Sequence, residues 1–351
     1  MVKSFDEKLE RAMKTDKVVE HEGFRRFAEK AGGVPRGTII AGERVILGYP
    51  KIKRIFSLET GVERNIRSAE LVVEEKIDGY NVRAAMHAGG LVCFSRGGYV
   101  DHFAMEKLER DQAVKRFFST HRGMVLCGEM VGNTPHTAPT DEYDVKYYVF
   151  DIIGPEGEFL GPMERRELCK EFGLLPVPLI GVFRKEDVGK LKAAASRLDR
   201  EGKEGMVLRG TEEREMAKYV TPSSDIRDLA EGSAKIFDMP MGFMKQRIFR
   251  SAVSIRELGL KGDRYSAKLG DALYSGLTDA LSLGQVEEKF RVRVEDPRTW
   301  DRIRDGMGKE IEIRVDRNGR KGKGYEIEFT KIFREGSKRV RRALEGHPQE
   351  D

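Results

Sequence analysis

Apolar and polar positions alternate along this chain at two periods, and each change of period predicts a change of element. Phe5, Leu9, Ala12 and Met13 fall on one face of a helix over 4–14, and Phe24 with Phe27 predicts a second helix over 22–30. A hairpin follows over 38–41 and 44–47, turned by Gly42 and Glu43 and leading into an extended segment at 49–56. From Ala69 the period shortens to two. Strands over 71–75, 80–85 and 91–94 form an antiparallel meander, the last two joined at 87–90. A helix over 103–118 leads to an apolar strand at 124–132, then come a strand at 146–153, a helix at 163–172 and a proline-bearing strand near 176–180. A helix at 187–200 is followed by strands at 206–209 and 217–220. Past Met239 the period lengthens again, giving helices over 241–258 and 266–283 with an apolar stripe of Met244, Ile248, Phe249, Ala252 and Ile255. After Pro297 come a strand at 309–315, a flexible cationic turn at 317–324, a strand at 325–329 and a basic helix at 335–344. The acidic tail 348–351 is expected to be disordered.

Composition narrows the setting. At 351 residues the chain suits two to four modules and has ample length for an enzyme. Charged residues make up 35% of it, yet the net charge is only +5, so an acidic partner needs local basic surface. Cys93, Cys127 and Cys169 are far apart and lack Cys-x-x-Cys spacing, which argues against a disulfide framework or a zinc site and for a reducing cytosol. No apolar signal core opens the chain and no run is long enough to span a bilayer, so membrane insertion and export are not expected.

Candidate chemistry centres on Glu75-Lys76-Ile77-Asp78-Gly79-Tyr80-Asn81-Val82-Arg83. A lysine amine that sheds its proton can attack phosphorus, with Asp78 expected to orient it and Gly79 to let the chain turn. By itself Lys-x-Asp-Gly is far more often only a turn than a site of chemistry. Ser95-Arg96-Gly97-Gly98 combines close backbone approach with an arginine able to grip ribose or phosphate. Glu129 lies within an apolar strand, where a carboxylate needs a ribose hydroxyl or an internal arginine as partner. Antiparallel pairing of 206–209 with 217–220 would bring Glu204, a metal-binding carboxylate, and Lys218, a phosphate-binding cation, toward one site. Lys51, Lys53 and Arg54 read either as phosphate contacts or as a solvated edge strand.

Taken in order, Lys76-x-Asp78-Gly79, Ser95-Arg96-Gly97-Gly98, Gly128-Glu129, Phe150-Asp151-Ile152, Glu204-Gly205-x-Val207-Leu208-Arg209 and Ala217-Lys218-Tyr219 resemble the motifs of the covalent nucleotidyltransferase superfamily of polynucleotide ligases and capping enzymes. The resemblance spans about residues 70–235, and Glu-Lys-Ile-Asp-Gly-x-Asn with Arg83 looks more like RNA ligases than DNA ligases. A helical module where relatives carry an OB barrel is similar to the archaeal-type homodimeric ATP-dependent RNA ligases that circularise RNA. The fold so implied is α+β: an ATP-grasp-like nucleotidyltransferase domain of antiparallel sheets flanked by helices at 67–238, after a small α/β module at 1–66. A helical dimerisation module at 239–296 and a small α/β module at 297–351 complete it.

The resemblance implies ATP with Mg²⁺ or Mn²⁺ as cofactors, and RNA 5′-phosphate and 3′-hydroxyl ends as substrates. It implies Lys76 as the adenylylated nucleophile, Glu129 at the ribose, Phe150 against adenine, Glu204 at the metal and Lys218 at the α-phosphate. Arg96 goes to ribose or an entering phosphate and Arg83 to the β- and γ-phosphates, while Glu75, Ile77, Gly79 and Asn81 line the nucleotide. Where relatives carry Lys-x-Lys, this chain has Lys218-Tyr219-Val220, so either a second cation comes from elsewhere, with Lys235 one candidate, or the motif aligns on a different stretch of strand. A DNA ligase, another nucleotidyltransferase, or an RNA-binding scaffold with a dead site are the alternatives.

Overall fold

The computed structural model describes residues 5–211, 215–240 and 242–348, in two compact units that interleave along the chain. The first comprises residues 1–52, 79–177 and 294–303, and the second residues 53–78, 178–293 and 304–351. Both are α+β as expected, with sheets antiparallel but for one outer pair in the second unit, although the division does not follow four consecutive modules.

In the first unit a four-stranded meander runs Val18–His21, Phe24–Phe27, Ile39–Ala41, Arg44–Ile46. A second sheet has the order Val145–Ile153, Val125–Gly132, Tyr80–His87, Gly90–Ser95. Alternation sends Ile39 and Ile46 from the first sheet, and Ala85, Phe94, Val125 and Cys127 from the second, into one hydrophobic cluster. Residues 294–303 belong here because buried Glu106 accepts the backbone N–H groups of Glu295 and Asp296, at 2.8 and 3.1 Å.

In the second unit five strands lie in the order Leu179–Arg184, Glu70–Lys76, Gly205–Gly210, Met216–Val220, Lys53–Arg54. Leu71, Val73, Met206, Leu208, Ala217 and Tyr219 point to one face, where helices Leu58–Asn65 and Val188–Arg200 close a core with Leu58, Val62, Leu191 and Leu198. The opposite face therefore carries the alternate residues: Glu74 and Lys76, Val207 and Arg209, Lys218. Helices Pro222–Ser233, Gly242–Glu257 and Gly262–Leu283 pack on Ile226, Leu229, Tyr265 and Ala272. Thr221 caps the first of them, its hydroxyl accepting from Ser224 N–H at 3.3 Å with Pro222 at the first helical position. A three-stranded sheet, Glu287–Val294, Gly324–Phe333, Ile311–Lys321, and helix Arg334–Leu344 complete the unit.

Three expectations about elements are corrected. Residues 22–30 do not form a helix: Glu22 and Gly23, at φ 48° and 79°, turn the chain so that Phe24–Phe27 pairs with Val18–His21. The helix expected over 103–118 is two, His102–Leu108 and Gln112–Thr120, because the Asp111 carboxylate accepts the N–H groups of Ala113 and Val114 and starts the second. The flexible turn at 317–324 is mostly strand: Arg317 through Lys321 pair with Glu328 through Gly324, leaving only Gly322, at φ 62°, and Lys323 to reverse the chain. The expected helix ends at Ser4 and Met241, and the tail 349–351, lie outside the described residues.

Candidate functional site

Lys76 ends the strand Glu70–Lys76 and sits opposite Gly205. A Cβ on Gly205 would lie 2.1 Å from the Tyr219 carbonyl oxygen, so only glycine lets the strands close there. Glu204 immediately precedes it, and its Oε2 accepts from Lys76 Nζ at 2.5 Å, with 21% and 14% of the two side chains exposed. Burial raises the Glu204 carboxyl above the ordinary glutamate range; Lys76 draws it back down, and Asp78 and Asp228 push it up again. The charge that holds the amine is thus Glu204, which corrects the role expected of Asp78. Asp78 is more than half exposed and accepts from Arg227 Nη2 at 2.8 Å instead. Glu75, on the other face, pairs with Lys203 at 3.1 Å, while Ile77 is half-buried just before the chain leaves this unit.

Lys218 lies opposite Val207 and beside Arg54, so its strand pairs as expected and places it on the face that bears Lys76. Lys235 does not supply a second cation there. Its ammonium pairs with Glu288 and lies 5.4 Å from the centre of the Phe333 ring. The signal for Arg54 was present in the sequence only as a basic residue on a short extended segment.

The remaining sequence candidates lie in the first unit. Gly79 cannot carry a side chain, since a Cβ would meet the Met130 carbonyl oxygen at 2.4 Å. Asn81 stands opposite Glu129 across two paired strands, and its side-chain oxygen is buried without a hydrogen-bond partner among the described residues. A buried acceptor in that state fits a donor supplied by a ligand. Phe150 sits where the register of Val145–Ile153 shifts, packed edge-on to Tyr49 with ring centres 4.9 Å apart and its carbonyl accepting from Arg165. Arg96 lies exposed in the loop after Gly90–Ser95.

Arg83 is a correction. It is fully buried, and its guanidinium donates to the carbonyls of Leu47 at 2.5 Å, Gly37 at 2.7 Å and Ser95 at 3.0 Å. Burial pulls its pKa down to about 10. The charge ties three backbone segments together instead of facing a phosphate, because interior carbonyls without a donor are costly.

Among the described residues no group of three or more His, Cys, Asp or Glu could hold a metal ion. A divalent cation at Glu204 would take most of its ligands from phosphate oxygens and water, which suits Mg²⁺, an ion that keeps its waters and accepts one or two carboxylates. The residues present fit that use.

Comparisons with known proteins follow the same lines. The family described as RNA ligase matches residues 69–220, and the one described as the C-terminal region of ligase Pab1020 matches residues 233–347. An uncharacterised protein of Methanocaldococcus jannaschii, MJ0414, is 28% identical over 306 residues, 81% of this chain and 76% of its own length. A structure from Aquifex aeolicus, provisionally named an ATP-dependent DNA ligase, superposes with a TM-score of 0.90 at 29% identity, covering 98% of this chain and 100% of the other. An archaeal ATP-dependent RNA ligase, in its form 1, superposes at 0.86 with 26% identity, covering 98% of this chain and 96% of the other.

Proposed function

As a member of the RNA ligase family this chain is an ATP-dependent ligase, and we propose that it seals RNA 5′-phosphate to 3′-hydroxyl ends through AMP carried on Lys76. The observation that carries this is the Lys76–Glu204 pair on the face of the five-stranded sheet opposite its helix-covered core, with Lys218 two strands away. Lys76 Nζ attacks the α-phosphorus of ATP, the P–N bond forms, and the bond to pyrophosphate breaks. The RNA 5′-phosphate then displaces lysine from that phosphorus, and the 3′-hydroxyl displaces AMP from the activated end. Glu204 holds the amine's proton in the resting state, and a bound divalent cation would offset the charge of the phosphate oxygens there. Glu129 at the ribose and Phe150 against the base are the nucleoside contacts of this reading, with Gly79 leaving the backbone room. The catalytic stretch is proposed as residues 67–238.

The test is strand joining with ATP and Mg²⁺ on 5′-phosphorylated single-stranded RNA, with single-stranded and nicked duplex DNA alongside. Closed circles or longer products from RNA support the reading. Preferential sealing of the nicked DNA would move the chain to a DNA ligase, the alternative that the likeness to the Aquifex aeolicus structure favours.

Ionised Glu204 is needed to hold Lys76 and the cation, so protein-AMP formation is expected to fall as pH falls and Glu204 takes a proton. Because burial raises that carboxyl, the fall begins at a higher pH than an ordinary glutamate would give. A Glu204→Gln variant should be slower by about 100-fold and should lose this acid limb, as read by rate against pH. An unchanged limb in the variant contradicts the assignment.

Two further parts complete the reading. A second copy of the chain is placed against helices Gly242–Glu257 and Gly262–Leu283, where Phe249, Tyr274 and Leu283 are 61%, 70% and 59% exposed. Light scattering should return twice the mass of one chain, and a single-chain mass at micromolar protein contradicts it. No helix among the described residues is long and apolar enough to cross a membrane. The cytoplasm is the proposed setting, and recovery in a membrane fraction on cell fractionation would contradict it.

A further inference from the structure

Arg54 reaches the neighbourhood of Lys218 through a pairing that joins distant parts of the chain. Lys53–Arg54 is the outer strand of the five-stranded sheet and runs parallel to Met216–Val220, with Arg54 beside Lys218 and Ile55 N–H donating to the Lys218 carbonyl at 3.0 Å. Ile55 enters the hydrophobic core with Ala217 and Tyr219. Arg54 and Lys218 therefore share the opposite face, the one that carries Lys76.

Neighbouring acids leave its charge largely uncancelled. Arg54 Nη1 lies 3.9 Å from Asp225 Oδ1, but that fully buried carboxylate is already gripped by Arg250 through Nε, at 3.1 Å, and Nη2. Two arginines thus share one acid. Arg54 Nη1 is buried and meets no hydrogen-bond acceptor among the described residues, although 26% of the side chain stays exposed. Burial lowers its pKa first, Arg250 next, while Asp225 and Glu204 raise it; an arginine keeps its proton through shifts of this kind. The influence of Glu204 also ties Arg54 to the carboxylate that holds Lys76.

Resting on the ATP reading above, we propose that Arg54 is the cation that receives the leaving pyrophosphate, the place left open by buried Arg83, by Lys235 and by Val220 where relatives carry a second lysine. As the Lys76 nitrogen bonds to the α-phosphorus, the bond from that phosphorus to the β-phosphate oxygen breaks. The pair of electrons stays on that oxygen, the amine's proton passes to water, and the guanidinium fork meets the charge that gathers on pyrophosphate. Lys218 serves the α-phosphate, which stays behind.

The experiment compares two rates in wild type, Arg54→Ala, Arg54→Lys and Lys76→Ala. One is protein-AMP formation from α-labelled ATP, and the other is sealing of RNA supplied already adenylylated at its 5′ end, where no pyrophosphate leaves. Arg54→Ala is expected to slow the first about 100-fold and the second far less, with Arg54→Lys recovering part of the loss. Protein-AMP formation within threefold of wild type overturns the inference. So does an equal fall in both rates without recovery in Arg54→Lys, since that is what loss of a purely structural partner for Asp225 would give. Should Arg54→Ala not fold, Arg54→Lys and Arg54→Gln carry the same comparison of two rates. A normal Arg54→Ala beside an inert Lys76→Ala rejects Arg54 alone, whereas no label on wild type rejects the ATP reading and this inference with it.

Discussion

Lys76→Ala is expected to abolish protein-AMP and, with it, the joining of 5′-phosphorylated RNA, a loss of about 10⁴-fold or more, because the variant lacks the amine that forms the P–N bond in this reading. The same variant should still seal RNA supplied with its 5′ end already adenylylated, since the third step asks nothing of the lysine as nucleophile. Gel separation of the two substrates reads both rates in one experiment. If Lys76→Ala joins 5′-phosphorylated RNA at a rate near that of wild type, the covalent route is wrong.

Arg209→Met is expected to lower stability by about 3–5 kcal/mol, the penalty of removing one member of a buried ion pair. Arg209 Nε donates to Glu74 Oε2 at 3.0 Å, with 7% and 1% of the side chains exposed, on the sheet face that carries Lys76 and two residues before it. The pair forms because Val207 lies opposite Glu74 and Arg209 opposite Val72, which makes Glu74 and Arg209 diagonal neighbours. The double variant Glu74→Leu, Arg209→Met removes both charges and should recover most of the loss. Calorimetric melting of wild type and the two variants checks this. A single variant within about 1 kcal/mol of wild type would mean that the pair is dispensable.

The parts of the fold written in short-range pattern were legible. Leu71 and Val73 alternate with Val72 and Glu74, and the order Lys76, Glu129, Glu204, Lys218 survives in the structure, with Lys76, Glu129 and Lys218 on strands and Glu204 immediately before one. What failed did so for particular reasons. Phe24 and Phe27 stand three apart, which on a helix is one face; on the observed strand they point to opposite sides, Phe24 toward Phe94 and Phe27 into the cluster with Ala12 and Val34, and the Glu22–Gly23 turn settled the matter. Arg83 follows the motif and is charged, yet the carbonyls of Gly37 and Leu47 claim it, and no local spacing reveals those partners. Asp78 is near Lys76 in sequence, but Glu204 reaches the amine because strand Gly205–Gly210 pairs with Glu70–Lys76 across more than a hundred residues of chain. Arg54 does lie on an edge strand, but its parallel pairing with Lys218 was hidden for the same reason, being long-range.

The most direct measurement is the mass of wild-type protein, first freed of nucleotide with excess pyrophosphate and then incubated with ATP and Mg²⁺ without RNA. Peptide mapping follows under conditions that preserve P–N bonds. The account predicts a gain of one AMP per chain, carried on the peptide that contains Lys76 and absent from Lys76→Ala. AMP on a different residue, or no gain from verified nucleotide-free protein, would contradict it.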